Sequence, residues 1–340
     1  MQEFCSYWGV PSFQSLEALL RILPKDGLIL NLTSPEAHYE VTYECLKQGA
    51  HVYSEKPLAM RFEEARELTA LACKHGVLLG GAPCSYLSMT AQTVGAAVRQ
   101  NVAGPVRLIY AELDDGYIPQ APVEKWKSES GAQWPYENEV RTGCTIEHAG
   151  YVLTWLISIF GTIDTITAFS ASTVDKELDP VATAPDVSVG VLQFEAGPVV
   201  RITNSIVAPH NHRILMVGDK GILEVDDSWA NNAQVKYRRR IRIRRRLMEF
   251  PLPKRLRLSS KPGGLQAKRY GSASMDFFLG PVELLETISG SQINRVSSDI
   301  ALHTTEATLF LQNAGKISTT YKMQSRCDPL QPLDWAQSLR

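Results

Sequence analysis

The chain has 340 residues and a nearly balanced charge, with 35 Lys and Arg against 36 Asp and Glu and a formal net charge of −1. Hydrophobic residues make up 44% of it and charged residues 21%, which is typical of a folded globular protein. This balance argues against a nucleic-acid partner and favours a small-molecule partner. The length predicts two domains, each with its own core.

The six cysteines are scattered, with no C-x-x-C pair and no matching histidine spacing. We therefore predict neither a metal site nor a disulfide framework. The first residues lack a basic region followed by an apolar run, and no stretch approaches the roughly 20 apolar residues that cross a bilayer. These features predict a cytoplasmic protein with no membrane partner.

Residues 26 to 79 alternate short apolar runs with amphipathic stretches, a pattern typical of parallel βαβ units. A strand over residues 27–33 is predicted to end in Thr33-Ser34-Pro35, where Ser34 can cap the next helix and Pro35 suits its first turn. A second strand over residues 50–54 ends in Glu55-Lys56-Pro57. Because open parallel sheets bind ligands at the carboxyl ends of their strands, we expect both loops to face one crevice.

The pattern changes after residue 103 to alternating strands joined by tight turns, which predicts a mainly antiparallel sheet with helices on one face. The fold class is therefore α/β followed by α+β. The strongest predicted strands and helices are 187–194, 199–207, 213–217, 222–225, 145–160, 275–289 and 303–314. We place a first domain at 1–103, a second at 104–325 and a C-terminal tail at 326–340.

The segment Arg238 to Arg246 is the strongest charge cluster, with seven arginines among nine residues. Such a run can bind nucleic acid or phosphate. Its alternation of arginine with isoleucine instead favours an edge strand with one solvated face, on which arginines also discourage pairing with other chains. We favour the edge strand, because no aromatic residues interleave the run.

Two segments carry a specific pattern: residues 26–38 read DGLILNLTSPEAH, and residues 49–59 read GAHVYSEKPLA. In this order and spacing they resemble the loop of T-P-x-x-H type and the G-x-H-V-x-x-E-K-P signature of the Gfo/Idh/MocA family of nicotinamide-dependent oxidoreductases. The helix from Cys144 to Gly161 and residues 301–306 extend the resemblance over nearly the whole chain.

The resemblance implies a Rossmann-like nucleotide domain that binds NAD or NADP. The α+β domain that follows would support the substrate site and form a homo-oligomer through its sheet. The implied activity is oxidation or reduction of a hydroxyl or carbonyl group on a sugar, a polyol or a related small molecule. The residues implied to bind the cofactor are Thr33, Ser34, Pro35, His38, Glu55 and Lys56.

Lys56 is the predicted catalytic residue, because an ammonium placed beside a substrate hydroxyl can hydrogen-bond a developing alkoxide and help to move its proton. In the family's sugar and polyol dehydrogenases, a carboxylate and a histidine one helical turn later join this lysine. The matching positions here hold Glu147 and Tyr151. Tyrosine departs from the pattern, since a phenol with an ordinary pKa of about 10 is a weak acid or base near neutral pH.

Three further positions keep alternatives open. His148, about a quarter-turn from Glu147, is predicted either to contact substrate or to hydrogen-bond behind the site. Trp126, in a loop rich in aromatic residues, is predicted either to line the substrate pocket or to pack between domains. His303 and Glu306 stand three residues apart and favour a structural hydrogen-bonded pair.

Family members begin with a strand and a G-x-G-x-x-G turn whose helix binds the pyrophosphate. The only glycine before Gly27 is Gly9, so we expect a shortened nucleotide domain. Two origins stay open, a fragment of a longer oxidoreductase and a natural short form. The functional alternatives are an enzyme, active or inactive as given, and a non-catalytic binding or dimerisation protein derived from the same family. The sequence indicates neither the substrate nor a preference for NAD or NADP.

Overall fold

The computed structural model of the protein describes residues 2–176, 183–260, 275–290, 293–317 and 319–340. Its first part contains three short parallel strands in the order β1-β2-β3, with helices between them. The elements are α1 (Gln2–Trp8), α2 (Leu16–Leu20), β1 (Leu28–Asn31), α3 (His38–Lys47), β2 (His51–Ser54), α4 (Phe62–His75) and β3 (Leu79–Gly81). The predicted βαβ units are therefore confirmed.

The start of α3 differs from the prediction. Ser34 makes no side-chain cap, and Pro35–Ala37 form a 3-10 turn instead. The turn is closed by the backbone, because the Ala37 N–H donates to the carbonyl of Ser34 at 2.9 Å. The α-helix therefore begins three residues later, at His38, and the hydroxyl of Ser34 is left facing outward.

The second part is built on a ten-stranded sheet. Its strands are β4 (Val106–Asp114), β5 (Ile163–Ala171), β6 (Val187–Phe194), β7 (Val199–Ser205), β8 (Ile214–Gly218), β9 (Gly221–Val225), β10 (Val235–Ile243), β11 (Arg246–Glu249), β12 (Lys254–Leu256) and β13 (Thr320–Lys322). The helices of this part are α5 (Met89–Arg99), α6 (Tyr136–Thr142), α7 (Cys144–Phe160), α8 (Leu279–Ile288) and α9 (Ser298–Asn313).

The large sheet is mainly antiparallel, as predicted, with β4 and β7 as a parallel pair at its centre. Residues of β6 and β7 alternate between buried and exposed, so only one face of these strands is covered. Helices α7 and α9 pack on that face, and Trp155 of α7 and Leu311 of α9 are fully buried in the shared core. The predicted fold class is confirmed.

Helix α9 also joins the two sheets. It packs on α4 and β3 as well as on β5. Gly81 makes this possible, because a Cβ at that position would stand 2.7 Å from the Cβ of Ala301. His303 on the same helix is fully buried, accepts a hydrogen bond from the N–H of Ile163 at 2.9 Å, and is linked to Glu306 through Ser325. The predicted pair of His303 and Glu306 is therefore bridged by Ser325 rather than direct, and its contacts are structural.

The arginine-rich segment forms the end of β10 and the start of β11, so the predicted edge strand is correct only in part: β11 is the outermost strand of the sheet, and β10 is the strand next to it. β10 pairs with β9 on one side and with β11 and β12 on the other. The arginine–isoleucine alternation does not produce one buried and one exposed face here, because no residue from Arg238 to Ile243 is buried and Ile243 is 53% exposed. Arg238 and Arg240 pair with the carboxylates of Glu224 and Glu249. Among the helices in the described ranges, none is both long and apolar enough to span a membrane.

Candidate active site

Lys56 and Glu147 form an ion pair between the end of β2 and the first turn of α7. They are 91 residues apart in sequence. The Glu147 side chain is 6% exposed and that of Lys56 is 20% exposed. A partly open ammonium thus stands against a buried carboxylate at the carboxyl ends of the parallel strands, where ligands of such sheets bind.

The electrostatics keep Lys56 charged. Burial alone would lower the pKa of its ammonium, but the Glu147 carboxylate and the neighbouring Tyr151 outweigh this effect and raise the pKa above its usual value. Burial also raises the pKa of the Tyr151 phenol well above its ordinary value. Near neutral pH, Lys56 is therefore an ammonium and Tyr151 an un-ionised phenol, and both are hydrogen-bond donors.

The position of Glu147 is set where α7 begins. Gly143 precedes the helix with φ +96°, and a Cβ there would stand 2.4 Å from Oε1 of Gln312. That amide oxygen accepts from the N–H of Ile146, while the Gln312 amide donates to the carbonyl of Thr142. Gln312 of α9 thus satisfies backbone groups at the start of α7. A carboxylate in this first turn is further stabilised by the helix dipole.

The loop after β1 is fixed by buried side chains. The amide oxygen of Asn31 accepts from the Thr33 hydroxyl at 2.7 Å. His38 is 1% exposed and lies behind the loops, with Nδ1 2.7 Å from the carbonyl of Pro57 and Nε2 3.0 Å from the carbonyl of Thr33. His38 therefore ties the two loops together. Thr33 and Ser34 are exposed at the loop surface.

Glu55 makes hydrogen bonds with backbone groups of the two loops. Its Oε2 accepts from the backbone N–H of Lys56 at 3.2 Å, and its own N–H donates to the carbonyl of Asn31 at 2.9 Å. Glu55 shapes the turn that presents Lys56.

The two loops and α6 enclose a cavity of about 320 Å³. Its walls combine Leu32 and Pro35 from the first loop, Lys56 from the second, Glu139 of α6 and Glu147 of α7. Burial, and then the nearby Glu147 carboxylate, raise the pKa of Glu139, and Lys56, His148 and Asp115 also act on it electrostatically. Glu139 therefore stands between the Lys56–Glu147 pair and a second polar cluster.

That second cluster is centred on Asp115, at the end of β4. Its two carboxylate oxygens face Nε2 of His148 at 3.0 Å and Nε2 of His212 at 2.7 Å. Burial would raise the pKa of Asp115, but the two imidazoles outweigh it and hold the pKa well below its usual range. Trp229 packs against both imidazoles, and Tyr151 packs against the same indole at 4.9 Å.

Trp126 takes a different position from the other predicted site residues. It packs against Trp134 with ring centroids 4.9 Å apart and is 36% exposed. It is not among the residues that form the wall of the cavity. Of the predicted site residues, the cavity wall contains Thr33, Ser34, Pro35, His38, Glu55, Lys56 and Glu147. Tyr151 and His148 are outside this wall but act electrostatically on Lys56 and Glu139, and Trp126 is outside it.

Sequence reasoning missed Asp115, Glu139, His212 and Trp229. The spacing of His210 and His212, separated by one residue, was the available signal, since it is compatible with two neighbouring ligand groups. Asp115 and Glu139 had no local signal, because they reach the crevice only through the pairing of β4 and the placement of α6. A second cavity of about 280 Å³, beside Met89, Arg255 and Arg340, has no carboxylate, histidine or cysteine in its described wall.

Two models of one protein family match the chain. Residues 1–81 match "Oxidoreductase family, NAD-binding Rossmann fold", and residues 91–224 match the "GFO/IDH/MocA C-terminal domain". In the structural comparison, an inositol dehydrogenase homolog of Azotobacter vinelandii, complexed with NADH and myo-inositol, has a TM-score of 0.68 at 17% identity. The match covers 94% of this chain and 86% of that chain and supports the fold.

Proteins that are similar in sequence are also oxidoreductases. Trans-1,2-dihydrobenzene-1,2-diol dehydrogenase of Xenopus tropicalis is 24% identical over 236 residues, covering 67% of this chain and 64% of that protein. A 1,5-anhydro-D-fructose reductase of Ensifer adhaerens is 41% identical over 69 residues, 20% of each chain. The matches thus span less than two thirds of these relatives' length. With the two family models matching in order, one over the first sheet and the other over β4 to β8 of the second, the chain belongs to the Gfo/Idh/MocA family of oxidoreductases.

Proposed function

We propose that the protein is a nicotinamide-dependent oxidoreductase that interconverts a hydroxyl and a carbonyl group on a sugar, a polyol or a related small molecule. The observation that carries this proposal is the Lys56–Glu147 pair, which stands at the carboxyl ends of the parallel strands beside a cavity of about 320 Å³. The family models and relatives support the same reaction class.

The crevice fits the nicotinamide end of NAD or NADP. Leu32, which is 66% exposed, and Pro35 offer apolar surface, and the exposed Thr33 and Ser34 offer hydroxyls. The carboxylates of Glu55 and Glu147 line the cavity together with the ammonium of Lys56, and Glu139, whose pKa is raised, adds a third acidic side chain, a polar surrounding that suits the nicotinamide ring. A glycine-rich phosphate loop is not among the described residues, so the fit concerns this end of the cofactor.

The cofactor, when bound, supplies or accepts the hydride. Lys56 supplies the proton chemistry. Its ammonium donates a hydrogen bond to the substrate oxygen, which stabilises the charge that develops on an alkoxide. Glu147 holds this ammonium in place and, by raising its pKa, keeps it protonated before the reaction.

The proton reaches the substrate by a short route in the reduction direction. Nζ of Lys56 gives a proton to the alkoxide oxygen and is then reprotonated. Glu139 lines the same cavity and is suited to this second transfer, because its raised pKa lets it hold a proton closer to neutral pH. In the oxidation direction Lys56 first passes a proton to the Glu139 carboxylate, and the neutral amine then accepts the hydroxyl proton as the hydride leaves.

Tyr151 and His148 form the substrate side of the crevice. Tyr151 stays a phenol and contributes a hydrogen bond rather than acting as a base. His148 is held by Asp115, and both rings pack on Trp229. An indole face beside imidazole and carboxylate groups suits a polyhydroxylated ring, which has apolar C–H faces and polar edges.

Calorimetric titration of NAD(H) and NADP(H) tests the cofactor assignment, on the chain as given and on any longer native form. A panel of aldoses, inositols and their ketone derivatives is then assayed by nicotinamide absorbance with whichever form binds. Turnover that the Lys56→Met variant loses supports the proposal. A longer native form that binds neither cofactor would overturn it.

A second candidate is a non-catalytic assembly role. The uncovered face of the large sheet exposes Phe169, Val189, Val191 and Val199, each between 37% and 47%. An apolar sheet face of this kind is a protein contact surface in many proteins. Light scattering of the purified chain tests this candidate. A Val191→Glu variant that remains in the same assembly as the wild type would exclude this face.

A further inference from the structure

The cluster around Asp115 contains groups that the proposed reaction does not use. His210 and His212 lie on the connection that leaves β7, and Asp115 follows β4. One donor atom of each of these three residues lies within 4.8 Å of the corresponding atoms of the other two. Two imidazoles and a carboxylate are ligands that divalent first-row metal ions accept in proteins.

The hydrogen bonds of His212 point to a missing partner. The residue is 2% exposed, and its Nε2 is 2.7 Å from Oδ1 of Asp115. Its Nδ1 is buried and has no hydrogen-bond partner among the described residues. Buried polar atoms are nearly always paired, so this atom calls for an explanation.

A metal ion bound to Nε2 of His212 would explain why its Nδ1 has no partner. A metal-bound His212 would carry its proton on Nδ1, which lies 3.8 Å from Oδ1 of Asp227. Histidine ligands commonly present their second nitrogen to a carboxylate in this way, which fixes the tautomer. The Asp227 carboxylate is then within roughly half an ångström of accepting a hydrogen bond from Nδ1, and Nε2 offers its lone pair to the ion.

We propose that Asp115, His210 and His212 form a binding site for a divalent transition-metal ion of the zinc class. Ligands at about 2.0–2.1 Å from a tetrahedral ion stand roughly 3.3 Å apart, so Asp115 and His212 need to separate by less than an ångström. His210 is exposed and closes the site from the solvent side. Three protein ligands leave one coordination position open.

The bound ion would join the end of β4 to the connection after β7, at the place where Trp229 and His148 form the wall of the crevice. The site is separate from the Lys56–Glu147 pair, and its occupancy is measurable without cofactor or substrate. Failure of the metal site would therefore leave the proposed oxidoreductase function untouched.

The test uses the full chain after chelator treatment. Zn²⁺ is titrated by calorimetry, bound metal is counted by elemental analysis, and Co²⁺ substitution is followed by visible absorption. The variants are His210→Asn, which changes an exposed residue, and Asp115→Asn. His75→Asn is the matched control, because His75 is also an exposed histidine and is not part of the Asp115 cluster.

We expect one equivalent of zinc in the wild type and in His75→Asn, with affinity at least about tenfold weaker in His210→Asn and Asp115→Asn, since even loss of an outer partner weakens metal binding by roughly 10- to 100-fold. Metal should also raise the melting temperature of the wild type more than that of His210→Asn. Less than one equivalent in the wild type, or unchanged affinity in a correctly folded His210→Asn, would overturn the proposal.

Discussion

The two walls of the crevice are built in different ways. The wall formed by the three-stranded sheet comes from two short loops after β1 and β2, and buried polar groups such as Asn31 and His38 fix them from behind. The opposite wall contains Glu139 and Glu147, and the polar cluster that adjoins them gathers Asp115, His148, His212 and Trp229 from four separate parts of the chain. The first wall is local in sequence, and the second exists only once the large sheet has formed.

Because the two walls are built differently, we expect one to bind the cofactor and the other to recognise the substrate. Strand-end loops carry small and polar groups to a fixed place, which suits a cofactor used by many related enzymes. A wall assembled from distant residues can change one contact at a time, which suits recognition of a particular substrate. Lys56 and Glu147 join the two walls, because one residue comes from each side.

We expect the largest loss of activity from a substitution at Lys56, where the two walls meet. Lys56→Met should lower kcat/KM by roughly 10²- to 10⁴-fold, because it removes the group that stabilises and protonates the alkoxide. Steady-state kinetics under saturating cofactor measure this change. Lys47→Met, at an exposed lysine of α3, is the control and should be silent. A Lys56→Met enzyme with more than about a tenth of wild-type turnover would contradict the assigned role.

The helix that supports both walls should make stability depend on pH. Burial lowers the pKa of His303 to about 4, below the ordinary histidine value of 6.5. The unfolded state therefore binds more protons in this interval, so the stability contribution is complete above pH 6.5 and falls as pH drops towards 4. The loss amounts to at most about 3 kcal/mol.

Urea unfolding of the wild type and of His303→Gln across this pH range isolates the contribution of His303. The glutamine can still accept a hydrogen bond from the N–H of Ile163, but it has no proton to gain. The difference in unfolding free energy between the two proteins should shrink as the pH falls. Parallel curves would show that His303 is not the titrating group.

The ion pair itself should matter for folding as well as for activity. Glu147→Gln leaves the Lys56 ammonium without its carboxylate, at a cost of about 2 kcal/mol, which is less than for a fully buried pair because Lys56 is 20% exposed. The double variant Lys56→Met, Glu147→Gln removes both charges and should recover part of this stability. Chemical denaturation compares the three proteins. A double variant less stable than Glu147→Gln would argue against a desolvated pair.

A smaller effect is expected at the second wall. Asp115→Asn weakens the hold on His148 and His212, so substrate should bind less well while the proton chemistry at Lys56 continues. We expect KM to rise about tenfold, the equivalent of losing one hydrogen bond to a charged group, with a smaller change in kcat. Equal losses in kcat and kcat/KM would instead assign Asp115 to the transition state.

The same division explains what the sequence could predict. Local pattern and family resemblance could predict segments that are contiguous in the sequence. These are the loops at Thr33 and Lys56 and the helix that carries Glu147 and Tyr151. Asp115 and His212 are almost a hundred residues apart, and only the pairing of β4 with its neighbours brings them together. The arginine-rich segment was placed only in part for the same reason, because the neighbours of β10 are distant strands and a hairpin partner that local alternation does not show.

Label transfer tests the central claim, that the Lys56–Glu147 crevice performs nicotinamide-dependent redox chemistry, most directly. Reduced nicotinamide cofactor deuterated at the transferring carbon is incubated with the cofactor-binding form of the protein and with ketone derivatives of sugars and inositols. Mass spectrometry then follows deuterium in the product. We predict label in one product with the wild type and at least a hundredfold less with Lys56→Met. Label that forms equally well with Lys56→Met, or that never forms with any ketone of the panel, would contradict the claim.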